Sequence, residues 1–204
     1  MTVLDTLNKE HRLVRRYIDV MEVVSDLIRE GKEVPKDVFG HFLEFSKTFL
    51  DTYHHFKEEY VLFLKLAEKK GGAIDSQIIS LRDQHESGRK FINKIKKSVP
   101  GYIEKDESAT AALGENLGYF NLLQREHLNR ENHVFYPMAR EAFSDEEMKQ
   151  FEEEFEKDEK NLGKDVFKNS EQLVEQIITL LKGKFGAQYR DRLEAKQDGH
   201  AHKS

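Results

Sequence analysis

The chain of 204 residues contains no cysteine, no tryptophan and only three prolines. Without cysteine there are no disulfides, no zinc-thiolate sites and no cysteine-ligated iron–sulfur clusters, so any resident metal must be held by imidazole nitrogen and carboxylate oxygen. Few prolines leave long helices uninterrupted. No stretch approaches the roughly eighteen uninterrupted apolar residues that a membrane span needs, and the first residues lack the basic start and apolar stretch of a signal peptide. The expectation is a soluble, cytoplasmic protein. Blocks of basic charge are also missing: the formal charge is −5, with Lys and Arg scattered. That pattern gives no electrostatic footprint for nucleic acid or an anionic lipid surface, and neither is expected as a partner.

What the chain does have is charge in a helical pattern. Charged residues make up 35% and hydrophobic residues 38% of the sequence, which suits amphipathic helices with solvated outer faces. Apolar positions recur at three- and four-residue steps, and turn signals fall between them. The first stripe, over residues 2–29, reads Leu4, Leu7, His11, Val14, Ile18 and Met21, and ends before Gly31 and Pro35. A second, over residues 37–70, carries Phe42, Phe45, Phe49, Phe56, Phe63 and Leu66 and stops at Gly71-Gly72. A third, over residues 75–97, runs Ile78, Leu81, His85, Gly88, Ile92, Ile95 and Val99; the fourth, over residues 108–142, runs Leu113, Leu117, Phe120, Gln124, His127, Glu131, Val134 and Met138. Ser144 to Glu147 has the form of a capping box and predicts a further helix; a break at Asn161-Leu-Gly163 precedes a last one. The predicted fold is all-α: an up-down four-helix bundle over residues 1–142, an extension of two helices packed on its outside over 143–186, and a disordered tail over 187–204. His200 and His202 in that tail read as part of a loose terminus.

Two copies of one string stand out, His55-x-x-x-Glu59-x-x-x-Phe63 and His127-x-x-x-Glu131-x-x-x-Phe135. An i, i+4 offset puts both side chains on one helix face, so an imidazole and a carboxylate can address the same ion. His54 and Glu58 have the same spacing but lie one step around the helix, and only the His55/Glu59 pair has the matching Phe. A lone His on an apolar face is ordinarily a hydrogen-bonded core residue. Six residues from four stripes are a different matter: His11, His55, Glu59, His85, His127 and Glu131 all point to a common interior, where bundles build metal sites. Two buried carboxylates need positive charge, and no Lys or Arg except Arg89 lies near these stripes. A pair of metal ions would supply it, and imidazole with bridging carboxylates suits iron or manganese best, with zinc possible. The Glu-x-x-His pairs of ferritin-like sites and the His-Glu-x-x-His string of zinc peptidases are both absent. His133 points away from Glu131, His41 reads as structural, and Tyr53 and Tyr136 read as packing residues able to donate hydrogen bonds near the centre.

With Glu10-His11-Arg12, His54-His55-Phe-Lys-Glu58-Glu59, His85-Glu86-x-Gly88-Arg89 and Glu126-His127-x-x-x-Glu131-x-x-Val134-Phe135-Tyr136-Pro137 in this order, the sequence resembles the hemerythrin-like (HHE cation-binding) family. The resemblance implies a four-helix bundle holding two iron ions, with Glu59 and Glu131 bridging them and His11, His55, His85 and His127 as terminal ligands. Oxygen-carrying members have a fifth His, four residues after the first on the third helix, where this chain has Arg89. That departure implies an open metal position and favours O₂, nitric oxide or peroxide as an exchanging or reacting ligand over clean oxygen storage. Binding or sensing of these molecules is the expected function. The alternative is a modest peroxide- or nitric-oxide-metabolising enzyme, or an iron-centre repair or iron-handling protein. The absence of cysteine weakens the repair role. A monomer or homodimer is expected.

Overall fold

In the computed structural model, which describes residues 2–163, 165–189 and 191–194, the chain is helical throughout, with no strand among the described residues. Helix α1 (Val3–Arg29) starts at a capping box between Thr2 and Asp5, which satisfies otherwise orphaned backbone donors. It ends where Gly31 turns the chain at φ +73°, a left-handed conformation that glycine adopts without Cβ strain. A second rod is built of α2 (Asp37–Phe45), the π-helical segments π1 (Ser46–His55) and π2 (Glu58–Leu62), and α3 (Phe63–Lys69). The third is α4 (Asp75–Ile103), six residues longer than the sequence pattern suggests, with Pro100 within it. The fourth comprises α5 (Glu107–Arg130), π3 (Glu131–Phe135) and α6 (Tyr136–Ala142). Pro137 has no N–H for the carbonyl of residue 133, so the ordinary helical ladder is interrupted where π3 lies.

These rods share two apolar layers. One holds Val14, Tyr17 and Ile18 of α1, Phe42, Phe45 and Phe49 of the second rod, Ile95, and Leu117 and Phe120. The other holds Leu4 and Leu7, Phe63 and Leu66, Ile78 and Leu81, and Phe135 and Ala139. The first and third rods enter this second layer with their N-terminal ends, and the second and fourth with their C-terminal ends. Between the layers, every rod contributes buried polar residues: Glu10 and His11; His54, His55, Lys57 and Glu58; His85; His127 and Glu131. A polar stratum between two hydrophobic ones is costly unless its groups are mutually satisfied or bind an ion.

Ser144 caps α7 (Asp145–Leu162) through the predicted box with Glu147, and Met148, Phe151 and Phe155 cover the second apolar layer. Helix α8 (Val166–Phe185) covers the first with Leu173, Val174, Ile177 and Leu181; burying an aliphatic chain of that size contributes about 1.5–3 kcal/mol. The extension is thus part of both cores. The expected disorder from residue 187 is corrected in part: residues 187–189 and 191–194 are helical and Tyr189 is fully buried, its ring giving a further anchor to the first layer. His200 and His202 lie outside the described residues. Among the described residues, no helix is long and apolar enough to cross a membrane.

Candidate metal centre

The buried stratum resolves into two groups of potential ligands. His55, Glu58, His85 and His127 form one; His11, His54, Glu58 and Glu131 form the other, and in each group the ligand atoms lie within 4.8 Å of one another. His85 Nε2 and His127 Nε2 are 2.8 Å apart, and His11 Nε2 and His54 Nε2 are 3.0 Å apart. The His55 ring stacks on that of His85 at 3.7 Å between centroids.

Both carboxylates divide their oxygens between the groups. Glu58 Oε1 lies 3.7 Å from His11 Nε2 and 3.6 Å from His54 Nε2, while its Oε2 lies 3.5 Å from His85 Nε2. Glu131 Oε2 lies 3.3 Å from His11 Nε2, and its Oε1 lies 3.2 Å from His127 Nε2. Each carboxylate therefore faces imidazoles of both groups.

Four imidazoles are oriented from behind. The Nδ1 atoms of His11, His54, His85 and His127 face Asn132 Oδ1 at 2.9 Å, Glu10 Oε2 at 2.8 Å, Glu59 Oε1 at 2.6 Å and Gln84 Oε1 at 3.2 Å. All four partners are acceptors, so the ring proton sits on Nδ1 and the Nε2 lone pair points inward. Lone pairs converging at 2.8–3.0 Å repel unless a cation or proton lies between them. Meanwhile both ring nitrogens of His55, Glu58 Oε2 and both Glu131 oxygens are buried without a hydrogen-bond partner. Unpaired buried groups of this kind cost about 1–3 kcal/mol each. The donor set therefore fits metal ions.

Protonation behaviour agrees. Burial, followed by the neighbouring His85, pushes His55 and His127 well below the usual imidazole range, which leaves them neutral. Burial also opposes charge on His11, but the Glu131 and Glu58 carboxylates beside it outweigh that and raise this residue to about 10. Burial and the charge of Glu58 push the Glu131 carboxyl up. In the metal-free protein, then, the His11 proton partly takes the place of a cation.

Of the six residues anticipated as ligands, His11, His55, His85, His127 and Glu131 fall in these groups, and Glu59 does not. Glu59 is only half-buried by comparison; its Oε1 accepts from His85 Nδ1 and from Arg89 Nη2 at 2.9 Å. The reason is local backbone geometry. Phe63 N–H donates to Glu58 C=O and Tyr136 N–H donates to Glu131 C=O, each five residues back. Both bridging candidates thus open a π turn, and the equivalent pairs are Glu58/Phe63 and Glu131/Tyr136. Phase counting at 3.6 residues per turn does not survive such segments. His54 joins as a fifth imidazole, in the group of His11 and Glu131.

Other readings change as well. Lys57 is fully buried, so a cation does lie beside the stripe. Tyr136 is a hydrogen-bond donor rather than mere packing: its hydroxyl is 2.5 Å from Glu58 Oε1 and 3.0 Å from His11 Nε2. Phe56 is half-buried and Val134 is exposed, each displaced from its stripe by the π segments, and His133 is exposed as expected. Glu10, adjacent to His11, had a sequence signal in the Glu-His tandem; Gln84 and Asn132 had none.

The fold and this layer define a helical protein with buried His and Glu groups able to hold metal. Residues 2–139 match the model of the Hemerythrin HHE cation binding domain, and the chain belongs to that family. It is also 24% identical over 159 residues to uncharacterized proteins of Mycobacterium bovis and Mycobacterium tuberculosis, an alignment covering 78% of this chain and 62% of theirs. The chain therefore spans under two thirds of the length of these relatives. No solved structure matches it.

Proposed function

We propose that this is a non-haem di-iron protein that binds O₂, nitric oxide or peroxide at a centre of five His and two Glu. The observation that carries this reading is the division of Glu58 and Glu131 between two imidazole groups, with Glu58 Oε2 and both Glu131 oxygens buried and without a hydrogen-bond partner. Nitrogen and oxygen donors with two bridging carboxylates suit iron or manganese. The two irons, when bound, supply exchangeable coordination positions and redox electrons.

The chain makes the two positions unequal. His55, His85 and His127 give one side three imidazoles, and His11 and His54 give the other two. Beside the poorer side stands the Tyr136 hydroxyl, stacked by its ring on His11 at 5.1 Å and 16°. That side is where a small ligand would find room and a hydrogen-bond donor. Phe63, stacked against the His85 ring, and Phe135 belong to the apolar layer beside the centre, which limits access of bulk water to it.

The test is metal analysis with optical spectra on protein purified anaerobically from iron-replete cells, before and after exposure to O₂ and to nitric oxide. Two irons per chain, with new charge-transfer bands on exposure, are expected. Protein that retains no metal, or zinc alone, would overturn the reading. Sustained peroxide or nitric oxide consumption in the same preparation would make the protein an enzyme rather than a binder.

A further inference from the structure

We propose that Glu159, on α7 and outside the residues that match the family domain, is a positioning residue of the metal centre, acting on His54 through Lys57 and Glu10. This rests on the reading of the buried layer as a metal centre and extends it to the C-terminal extension. Glu159 Oε1 accepts from Lys57 Nζ at 2.9 Å and from Tyr53 Oη at 2.6 Å. The same ammonium donates to Glu10 Oε1 and lies 3.6 Å from the centre of the Tyr53 ring. Glu10 Oε2 in turn faces His54 Nδ1 at 2.8 Å. A continuous chain of charge-assisted hydrogen bonds therefore runs from α7 to an inward-facing imidazole.

Burial makes the chain consequential. Lys57, Glu10 and His54 are all at most 1% exposed, whereas Glu159 is 33% exposed on its side chain and forms the outer end. It lies in a cleft of about 260 Å³ together with Lys9, Glu10 and Tyr53. A buried ammonium needs compensating carboxylates. With Glu159 present, Lys57 is shared between two; without it, Lys57 has Glu10 alone and draws that carboxylate from His54 Nδ1. His54 then loses the partner that fixes its tautomer and ring plane. The outer nitrogens of His11, His85 and His127 are held instead by Asn132, Glu59 and Gln84, all within residues 2–139.

The experiment compares the full-length wild type with Glu159→Leu and the isosteric Glu159→Gln. Metal-free protein is titrated with Co(II), followed by absorbance, and its His rings are assigned by ¹⁵N NMR. Outer-partner changes typically weaken metal binding about 10–100-fold. That loss is expected in one of the two binding steps for Glu159→Leu, with the other step unchanged. Glu159→Gln, which keeps an oxygen for both donors, should recover most of it. In the metal-free protein, His54 should shift from its Nδ1–H form in Glu159→Leu. Two unchanged steps and an unchanged His54 tautomer, with only a lowered Tm, would overturn the proposal and leave Glu159 a structural tie; so would equal weakening of both steps. If the wild type takes up no Co(II), the metal centre itself fails, and the NMR comparison still decides whether Glu159 positions His54.

Discussion

Substituting glutamine at Glu58 and, separately, at Glu59 distinguishes a bridging carboxylate from its neighbour. Glu58 is fully buried and presents one oxygen to each imidazole group. Glutamine keeps the shape, removes one negative charge shared by two cations and turns one ligating oxygen into an N–H donor. Unit charges 4 Å apart interact by about 4 kcal/mol at an effective dielectric of about 20, so even one unit of metal charge predicts about a thousandfold weaker binding. Glu59 instead accepts from His85 Nδ1 and Arg89, and loss of such an orienting partner weakens binding about 10–100-fold. The assay is Fe(II) or Zn(II) titration of the metal-free full chain in competition with a chromophoric chelator, with metal per chain measured after desalting. Glu58→Gln should retain no more than one ion, and Glu59→Gln should retain two at reduced affinity. Two ions retained in Glu58→Gln and none in Glu59→Gln would refute the assignment made from the π-helical register.

Glu131→Gln should abolish the rise in Tm that metal gives, because a carboxylate facing both imidazole groups is lost; calorimetry with and without metal checks this. Tyr136→Phe should keep two ions per chain and cost about 1–3 kcal/mol in urea unfolding of the metal-free protein, because Glu58 loses a buried donor. Lys57→Met should cost the metal-free fold about 3–5 kcal/mol by leaving Glu10 without its buried cation. Stability of the metal-free protein should be bounded on both sides in pH. His55 and His127 have depressed folded values, so their contribution is present above the ordinary 6.5 and lost as pH falls below it. His11 is raised to about 10, so its contribution is full below 6.5 and lost as pH rises through about 10. Urea midpoints across this range should fall at both ends.

The helices were legible because their signals are local. Thr2 with Asp5 and Ser144 with Glu147 cap where the sequence implies, and Gly31 and Gly71-Gly72 end the first two rods at positive φ. His11, His85 and His127 were legible because each lies on a long α-helical apolar stripe, and Glu131 because it directly follows one, and the stripe dictates facing. Glu58 and His54 were not, because His54 lies within ten residues of π-helix and Glu58 follows them. Over that length, small differences in rotation per residue accumulate to a full position. Lys57 was hidden for another reason: its partners Glu10 and Glu159 come from 47 and 102 residues away, and no spacing within one helix reports such a pairing.

The Phe that follows each Glu by four residues is instructive because the repeat is physically real and yet points to Glu59, which lies outside the two His/Glu groups. Phe63 and Phe135 do meet in the core, at 5.4 Å between ring centroids. Their shared offset from Glu59 and Glu131 suggested that those two glutamates are equivalent. Backbone hydrogen bonds give a different equivalence: the carbonyls of Glu58 and Glu131 each accept from the residue five positions on. A π turn inserts one residue without breaking the helix, and such turns concentrate at functional sites. Here each one swings a carboxylate into the stratum between the two apolar layers while the Phe beyond it stays in the core. Proline accounts for the turn at Glu131, through the missing N–H of Pro137. None stands near Glu58, where the bulged backbone persists beside ring nitrogens of His55 and an oxygen of Glu58 that have no hydrogen-bond partner. Backbone geometry of that kind is maintained when the side chains it aims have something to bind.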